Sequence, residues 1–205
     1  MLIWMSSPTA RSRRFLFLDR DGVLNVDSPD YIKHWDEFHF YPDAPDALRW
    51  LRNRDVNVIL VSNQSVLHRG LISPDDFWQL HERMIHRVCE AGGDILATFY
   101  CPHRPDEKCS CRKPSPDMIL AAARLYGAPM ETSYFIGDRA TDLQAADRAG
   151  CRFIMLERST NGGPLPDTTT VDYMARKSYT TLLEAVAAIG ETGHGLSSCD
   201  HHHDS

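Results

Sequence analysis

Apolar residues along this chain come in short unbroken runs separated by amphipathic stretches, and several runs stop abruptly at polar or acidic residues. Residues 15–18 (Phe-Leu-Phe-Leu) lead straight into Asp19, residues 56–61 into Ser62, Asn63 and Gln64, and residues 134–136 into Gly137 and Asp138. Short runs rich in aromatic and β-branched residues, bounded by turn residues, have the profile of strands buried on both faces. Residues 95–100 and 152–156 read the same way, which makes five expected strands.

Between these runs the spacing becomes helical. Residues 43–54 put Ala47, Leu48 and Leu51 on one face. Ser73-Pro-Asp-Asp is a helix start, with proline in the first turn and acids at the positive end of the helix dipole. That helix is expected to reach about Ala91 and to stop at Gly92 and Gly93. A further helix opens at residues 115–117 and ends near Gly127, and residues 141–149 and 180–189 supply the last two. Strands alternating with helices in this way predict an α/β fold, a doubly wound and mostly parallel Rossmann-like sheet with helices on both faces. There is no internal repeat and no room for a large cap domain. The expected organisation is a frayed N-terminal extension over 1–14, one domain over 15–190, and a disordered Gly-, Ser- and His-rich tail over 191–205. Met5 is a second candidate start, and the His201-His202-His203 run is read as a solvated terminus.

Composition narrows the class of partner. A chain of 205 residues, 42% hydrophobic and 24% charged, is long enough for a sizeable core. Its formal charge of −6 argues against non-specific nucleic-acid binding. It leaves room for a small phosphorylated metabolite, because a few local cations and a metal reverse the potential inside a pocket. No apolar run approaches the roughly 20 residues needed to span a bilayer, and the start lacks a basic segment ahead of its short apolar stretch. The expectation is a cytoplasmic monomer with no membrane or nucleic-acid partner.

Candidate chemistry gathers at the strand ends, where ligands bind in open α/β sheets. Asp19 and Asp21 are two residues apart, so an extended chain would aim both carboxylates the same way. Their repulsion calls for a divalent cation or a shared proton, and Mg²⁺ suits carboxylate and carbonyl oxygens. Asp19 is then the nucleophile toward phosphorus and Asp21 the general acid and base. Ser62 and Asn63 are expected to donate to phosphate oxygens, and Lys113 to supply positive charge. Gly22 permits a sharp turn beside the phosphate. Of the two later aspartates, Asp138 is the expected metal ligand and Asp142 a helix-start residue.

Cys101, His103, Cys109 and Cys111 form two close pairs five residues apart. Three thiols and one imidazole make the ligand set of a closed structural zinc site; a redox pair and chance clustering are the other readings. Thiolates do not suit Mg²⁺, so two different metals are implied. Arg112 and Lys113 follow Cys111 directly, so a fixed loop would hold both cations over the phosphate. The remaining Cys89, Cys151 and Cys199 are isolated and read as small hydrophobes or tail residues.

Asp-x-Asp-Gly, Ser-Asn, Lys and Gly-Asp-x-x-x-Asp, in this order, resemble the haloacid dehalogenase-like phosphatases over residues 15–157. The resemblance implies an aspartyl-phosphate on Asp19 and acid/base work by Asp21. It also implies Mg²⁺ held by Asp19, the backbone carbonyl of Asp21, and Asp138, with Ser62, Asn63 and Lys113 stabilising the phosphate. Residues 17–27, Asn63-Gln64-Ser65 with Arg69-Gly70, and the Cys-Pro-His…Cys-x-Cys-Arg-Lys-Pro loop are similar to a narrower subfamily. That subfamily holds the heptose-1,7-bisphosphate 7-phosphatases of lipopolysaccharide biosynthesis and the histidinol-phosphate phosphatases. It implies zinc in the cysteine loop and hydrolysis of D-glycero-D-manno-heptose 1,7-bisphosphate to the 1-phosphate, with histidinol phosphate as the alternative substrate. Val23 and Val66 depart from the pattern, and Gly-Asp-Arg-Ala-Thr-Asp leans toward the histidinol version. These departures bear on substrate rather than on chemistry. Asp27, Tyr31, Gln64, Ser65 and Arg112, with Ser62, Asn63 and Lys113, are the expected substrate-binding residues. A catalytically silent zinc scaffold is the remote alternative, against which the intact Asp19, Asp21, Lys113 and Asp138 stand.

Overall fold

The structure, a computed structural model, describes residues 1–158 and 177–191. Its elements are β1 (Leu2–Met5), β2 (Phe15–Leu18), α1 (Ala44–Arg52), β3 (Asn57–Asn63), α2 (Pro74–Glu90), β4 (Ala97–Cys101), α3 (Asp117–Tyr126), β5 (Tyr134–Gly137), α4 (Ala140–Ala149), β6 (Arg152–Leu156), β7 (Ser178–Tyr179) and α5 (Leu182–Glu191). The sheet order is β1-β4-β3-β2-β5-β6-β7. All neighbours pair in parallel except β1, which runs antiparallel to β4. β2 lies at the centre: β3 and β4 were added on one side of it, β5 to β7 on the other. The strand order therefore reverses beside β2, where open α/β sheets leave a crevice.

Alternation along each strand fills two cores. Leu16, Leu18, Leu60 and Ile136 pack against Leu48 and Leu51 of α1, Met84 of α2 and Val186 of α5. Phe17, Ile59, Val61 and Phe135 face the other way, against Met118 and Ile119 of α3 and Ala145 of α4. Helices cover both faces, as the alternating pattern predicts. The helix start at Ser73 also holds: its hydroxyl accepts from the Asp76 amide at 3.1 Å, with Pro74 in the first turn. On the first face, the Asp43 carboxylate ties three elements together. It takes two hydrogen bonds from Arg158 (2.6 and 3.2 Å) and one from the Leu182 amide that opens α5 (2.6 Å).

Two expectations need correction. Residues 2–5 are an edge strand rather than frayed chain, with Leu2 and Trp4 turned inward and Ile3 and Met5 outward. Trp4 meets the ring of His81 edge-on at 4.9 Å, a contact across the chain that four residues of local pattern do not announce. β3 also runs two residues further than its apolar stretch, so Ser62 and Asn63 are strand residues paired with Tyr100 and Cys101. The expected tail lies outside the described residues. Among the described residues, no helix is long and apolar enough to cross a membrane.

Candidate active site

The site forms where β2, β3 and β5 end side by side. The Asp19 amide donates to the Ile136 carbonyl (3.0 Å), which extends the β2–β5 pairing one residue and fixes the direction of the Asp19 side chain. Asp19 Oδ1 accepts from the Arg20 amide (2.7 Å) and faces Lys113 Nζ at 2.9 Å. The same ammonium lies 2.7 Å from Asp142 Oδ1, and all three side chains are buried. Burial pushes the Asp19 carboxyl up to about 6, with Asp142 and Asp21 adding to the shift and Lys113 opposing it. Asp138 is pushed up to about 8, by burial first and then by the charges of Asp19 and Asp142.

This group is short of positive charge. Asp19, Asp138 and Asp142 each bring an oxygen within 4.8 Å of the others, against the ammonium of Lys113 and, 3.9 Å from Asp138 Oδ2, the more exposed guanidinium of Arg139. Asp138 Oδ1 is buried with no hydrogen-bond partner among the described residues. An all-oxygen cluster with an orphaned carboxylate oxygen fits a hard divalent cation. The chain reaches this proximity only because Gly22 has no side chain: a Cβ there would lie 2.0 Å from Asp138 Oδ2, and its φ is +81°.

Asp142 goes beyond its expected role. It does open α4, its Oδ2 accepting from the Arg139 amide at 3.1 Å, but its other oxygen binds Lys113 and completes the carboxylate group. Gly137 makes this possible, since Asp142 fills the space where a Cβ would stand, 2.5 Å away.

Asp21 departs from the expected arrangement. Its carboxylate does not join the other three; it is clasped by Arg20, whose Nε and Nη2 lie 2.8–3.0 Å from its oxygens. Asn25 Nδ2 donates at 2.9 Å and Gln64 Nε2 at 2.6 Å. Burial works against the charge of Asp21, but Arg20, Asn25 and Gln64 outweigh it and hold the carboxyl below its ordinary range. The repulsion expected between Asp19 and Asp21 is thus relieved by Arg20, a residue the spacing argument passed over.

Two strand-end amides also serve as scaffolding. Asn63 accepts from the Lys113 amide (3.0 Å) and donates to the Lys113 carbonyl (3.2 Å), so its side chain locates Lys113. Gln64 bridges Asp21 and the Ser62 hydroxyl (3.0 Å), and both amides line the cleft. Ser62 keeps its hydroxyl proton for another acceptor. Around them opens a cleft of about 1550 Å³, lined by Ser65, Tyr31, Asp27 and Arg112 as expected, and also by Lys108 and Arg139. Asp27 is ion-paired with Arg139, and Arg69 lies over the Tyr31 ring at 5.3 Å. Arg112 donates to the His103 carbonyl at 3.0 Å. Arg20 and Arg139 each follow a strand-end aspartate directly, which is the signal that would have found them.

The cysteine loop closes on itself. Cys101 and Cys111 sulfurs lie 3.5 and 3.3 Å from His103 Nδ1, and Cys109 lies 3.6 and 3.8 Å from the same two sulfurs. Disulfides need about 2.05 Å, whereas tetrahedral zinc implies ligand separations of about 3.6–3.8 Å. The cysteines are free, and the four ligand atoms have the spacing of a zinc site.

Comparison with known proteins agrees with this geometry. A family described as "HAD-hyrolase-like" matches residues 110–188. The D-glycero-beta-D-manno-heptose-1,7-bisphosphate 7-phosphatase of Pseudomonas aeruginosa is 38% identical over 164 residues, 78% of this chain and 92% of that protein. The Bordetella bronchiseptica protein of the same name is 39% identical over 164 residues, 77% of this chain and 91% of its own. A crystal structure of the D,D-heptose 1,7-bisphosphate phosphatase from B. bronchiseptica, complexed with magnesium and phosphate, superposes with a TM-score of 0.76 at 34% identity. It covers 86% of this chain and 97% of the other. With relatives matched over nearly their whole length and a buried aspartate–lysine group at the ends of a parallel sheet, the chain belongs to the haloacid dehalogenase-like phosphatases and is a phosphoric monoester hydrolase.

Proposed function

We propose that the chain removes the 7-phosphate of D-glycero-D-manno-heptose 1,7-bisphosphate through an aspartyl-phosphate on Asp19, releasing heptose 1-phosphate. The observation that carries this reading is the buried Asp19–Lys113–Asp142 group at the floor of a cleft far wider than one phosphate needs. Beyond that floor the cleft carries Arg69, Lys108, Arg112 and Arg139, cations for a second phosphate on the same sugar.

Asp19 and Asp138, with the backbone carbonyl of Asp21, would hold Mg²⁺. When bound, the ion offsets the carboxylate charges and those of the phosphoryl oxygens. Asp21, ionised in the free site, takes a proton from the incoming phosphate monoester; an Asp19 oxygen then attacks phosphorus while the sugar oxygen departs, taking that proton from Asp21. Asp21, now ionised, accepts a proton from the water that attacks the aspartyl-phosphate, which releases inorganic phosphate and restores Asp19. Throughout, Lys113 and the Ser62 hydroxyl face the charge that spreads over the phosphoryl oxygens. Asp27, Tyr31, Ser65 and Arg112 border the sugar. Cys101, His103, Cys109 and Cys111 hold a structural zinc whose loop delivers Arg112 and Lys113.

The test is phosphate release with Mg²⁺ from heptose 1,7-bisphosphate and histidinol phosphate in parallel. A kcat/KM at least about tenfold higher for the heptose substrate is expected, with Asp19→Asn inactive on both. A preference for histidinol phosphate overturns the substrate, and turnover by Asp19→Asn overturns the nucleophile.

A further inference from the structure

Arg20 stands between the two catalytic aspartates, yet no step above employs it. Its side chain is only 4% exposed, and a buried guanidinium must satisfy five N–H donors or be severely destabilising. Its partners are specific. In front, Nε and Nη2 clasp Asp21 at 2.8–3.0 Å. Behind, the Phe38 ring lies 5.8 Å from the guanidinium.

Asp21 has little orientational freedom as a result. Oδ1 receives Arg20 and Asn25, Oδ2 receives Arg20 and Gln64, and rotation about the side chain would break several charge-assisted bonds at once. Proton transfer to a departing alkoxide is sensitive to that orientation, since a misplacement of about 1 Å costs on the order of 100-fold. We propose that Arg20 is a positioning residue that aims Asp21 at the leaving-group oxygen. This rests on the reading of Asp21 as the acid/base.

The two kinds of phosphate ester separate this role from a merely structural one. An alkyl alcohol leaves poorly without a proton, whereas p-nitrophenolate leaves unaided and makes little use of a general acid. The experiment compares wild type, Arg20→Met, Arg20→Lys and Asp21→Asn with Mg²⁺ in single turnover, which reads alcohol release apart from hydrolysis of the aspartyl-phosphate. The substrates are p-nitrophenyl phosphate and whichever of heptose 1,7-bisphosphate or histidinol phosphate the wild type turns over. Arg20→Met should lower the rate of alcohol release from the alkyl ester about 100-fold, while release of p-nitrophenol falls less than about tenfold. Arg20→Lys, which keeps a cation but not the two-point clasp, should show the same selectivity at about 3–10-fold, and it carries the test if Arg20→Met does not fold. Equal losses on both esters, or no loss, overturn the proposal. Asp21→Asn without selectivity between the esters overturns the acid/base reading and this proposal with it, whereas selectivity in Asp21→Asn alone overturns only the role of Arg20.

Discussion

Gly22 carries a constraint that its neighbours set. Its φ of +81° is open to glycine, and the space beyond its Cα already holds the Asp138 carboxylate. In Gly22→Ala the methyl must push Asp138 away from Asp19. Stability should fall by about 1–3 kcal/mol and kcat by roughly 100-fold or more, measured by denaturant melts and steady-state phosphate release. A variant that keeps full activity would show that the approach of Asp138 to Gly22 is not needed. Single residues at strand ends were legible in the sequence, because an apolar run that stops at a carboxylate tells which side chain faces the crevice. Their partners were not. Asn63 binds the Lys113 main chain 50 residues away and Gln64 binds Asp21 across 43, so only the folded sheet reveals that these amides also hold the machinery in place.

At the scale of elements, strand and helix positions followed the apolar pattern closely, since both faces of a parallel sheet are buried and leave long unambiguous runs. The pattern failed for β1 and β7, strands of 4 and 2 residues, where pairing with a neighbour supplies what local preference lacks. What joins the elements is equally non-local. Asp43, just ahead of α1, accepts from Arg158 past the end of β6 and from the first amide of α5. Burial disfavours its charge, but the hydrogen bonds and charge of Arg158 and the Leu182 amide prevail, so its carboxyl is held below the ordinary 3.8. A depressed carboxylate contributes stability above its unfolded value and loses it as pH falls through the folded one. Asp43→Asn should therefore be about 2 kcal/mol less stable than wild type at pH 7. The gap should close as the pH falls below 3.8, as followed by urea melts across pH. A gap independent of pH would show that the carboxylate charge is not what matters there.

For the whole molecule, the fold supplies three strand ends and the cysteine loop supplies the lysine. Lys113 lies two residues after Cys111, and its main chain is pinned by Asn63, so the loop and β3 together decide where the ammonium stands. Cys109→Ser should bind well under half of the zinc held by wild type, and should lose both thermal stability and kcat while Asp19, Asp138 and Asp142 remain in place. Metal analysis alongside thermal melts checks this, and full zinc retention by the variant would contradict the ligand set. The sequence showed that a loop of this kind exists, which metal suits it and that it carries Lys113 to the phosphate; it did not show that Asn63 pins the lysine, because that depends on how β4 lies beside β3.

The sheet order has a further consequence, for the birth of the protein. Asp19, Lys113 and Asp142 lie far apart along the chain, and all three meet only after β5 has docked against β2. Pairing across such distances must bear a large loop-closure entropy before any contact rewards it. A nascent chain can therefore build β2, β3 and β4 with their helices, and even the Asp19–Lys113 pair, and still lack Asp138 and Asp142. The carboxylate group is complete only once β5 has joined the sheet, so a fragment that ends before β5 lacks two of its three members.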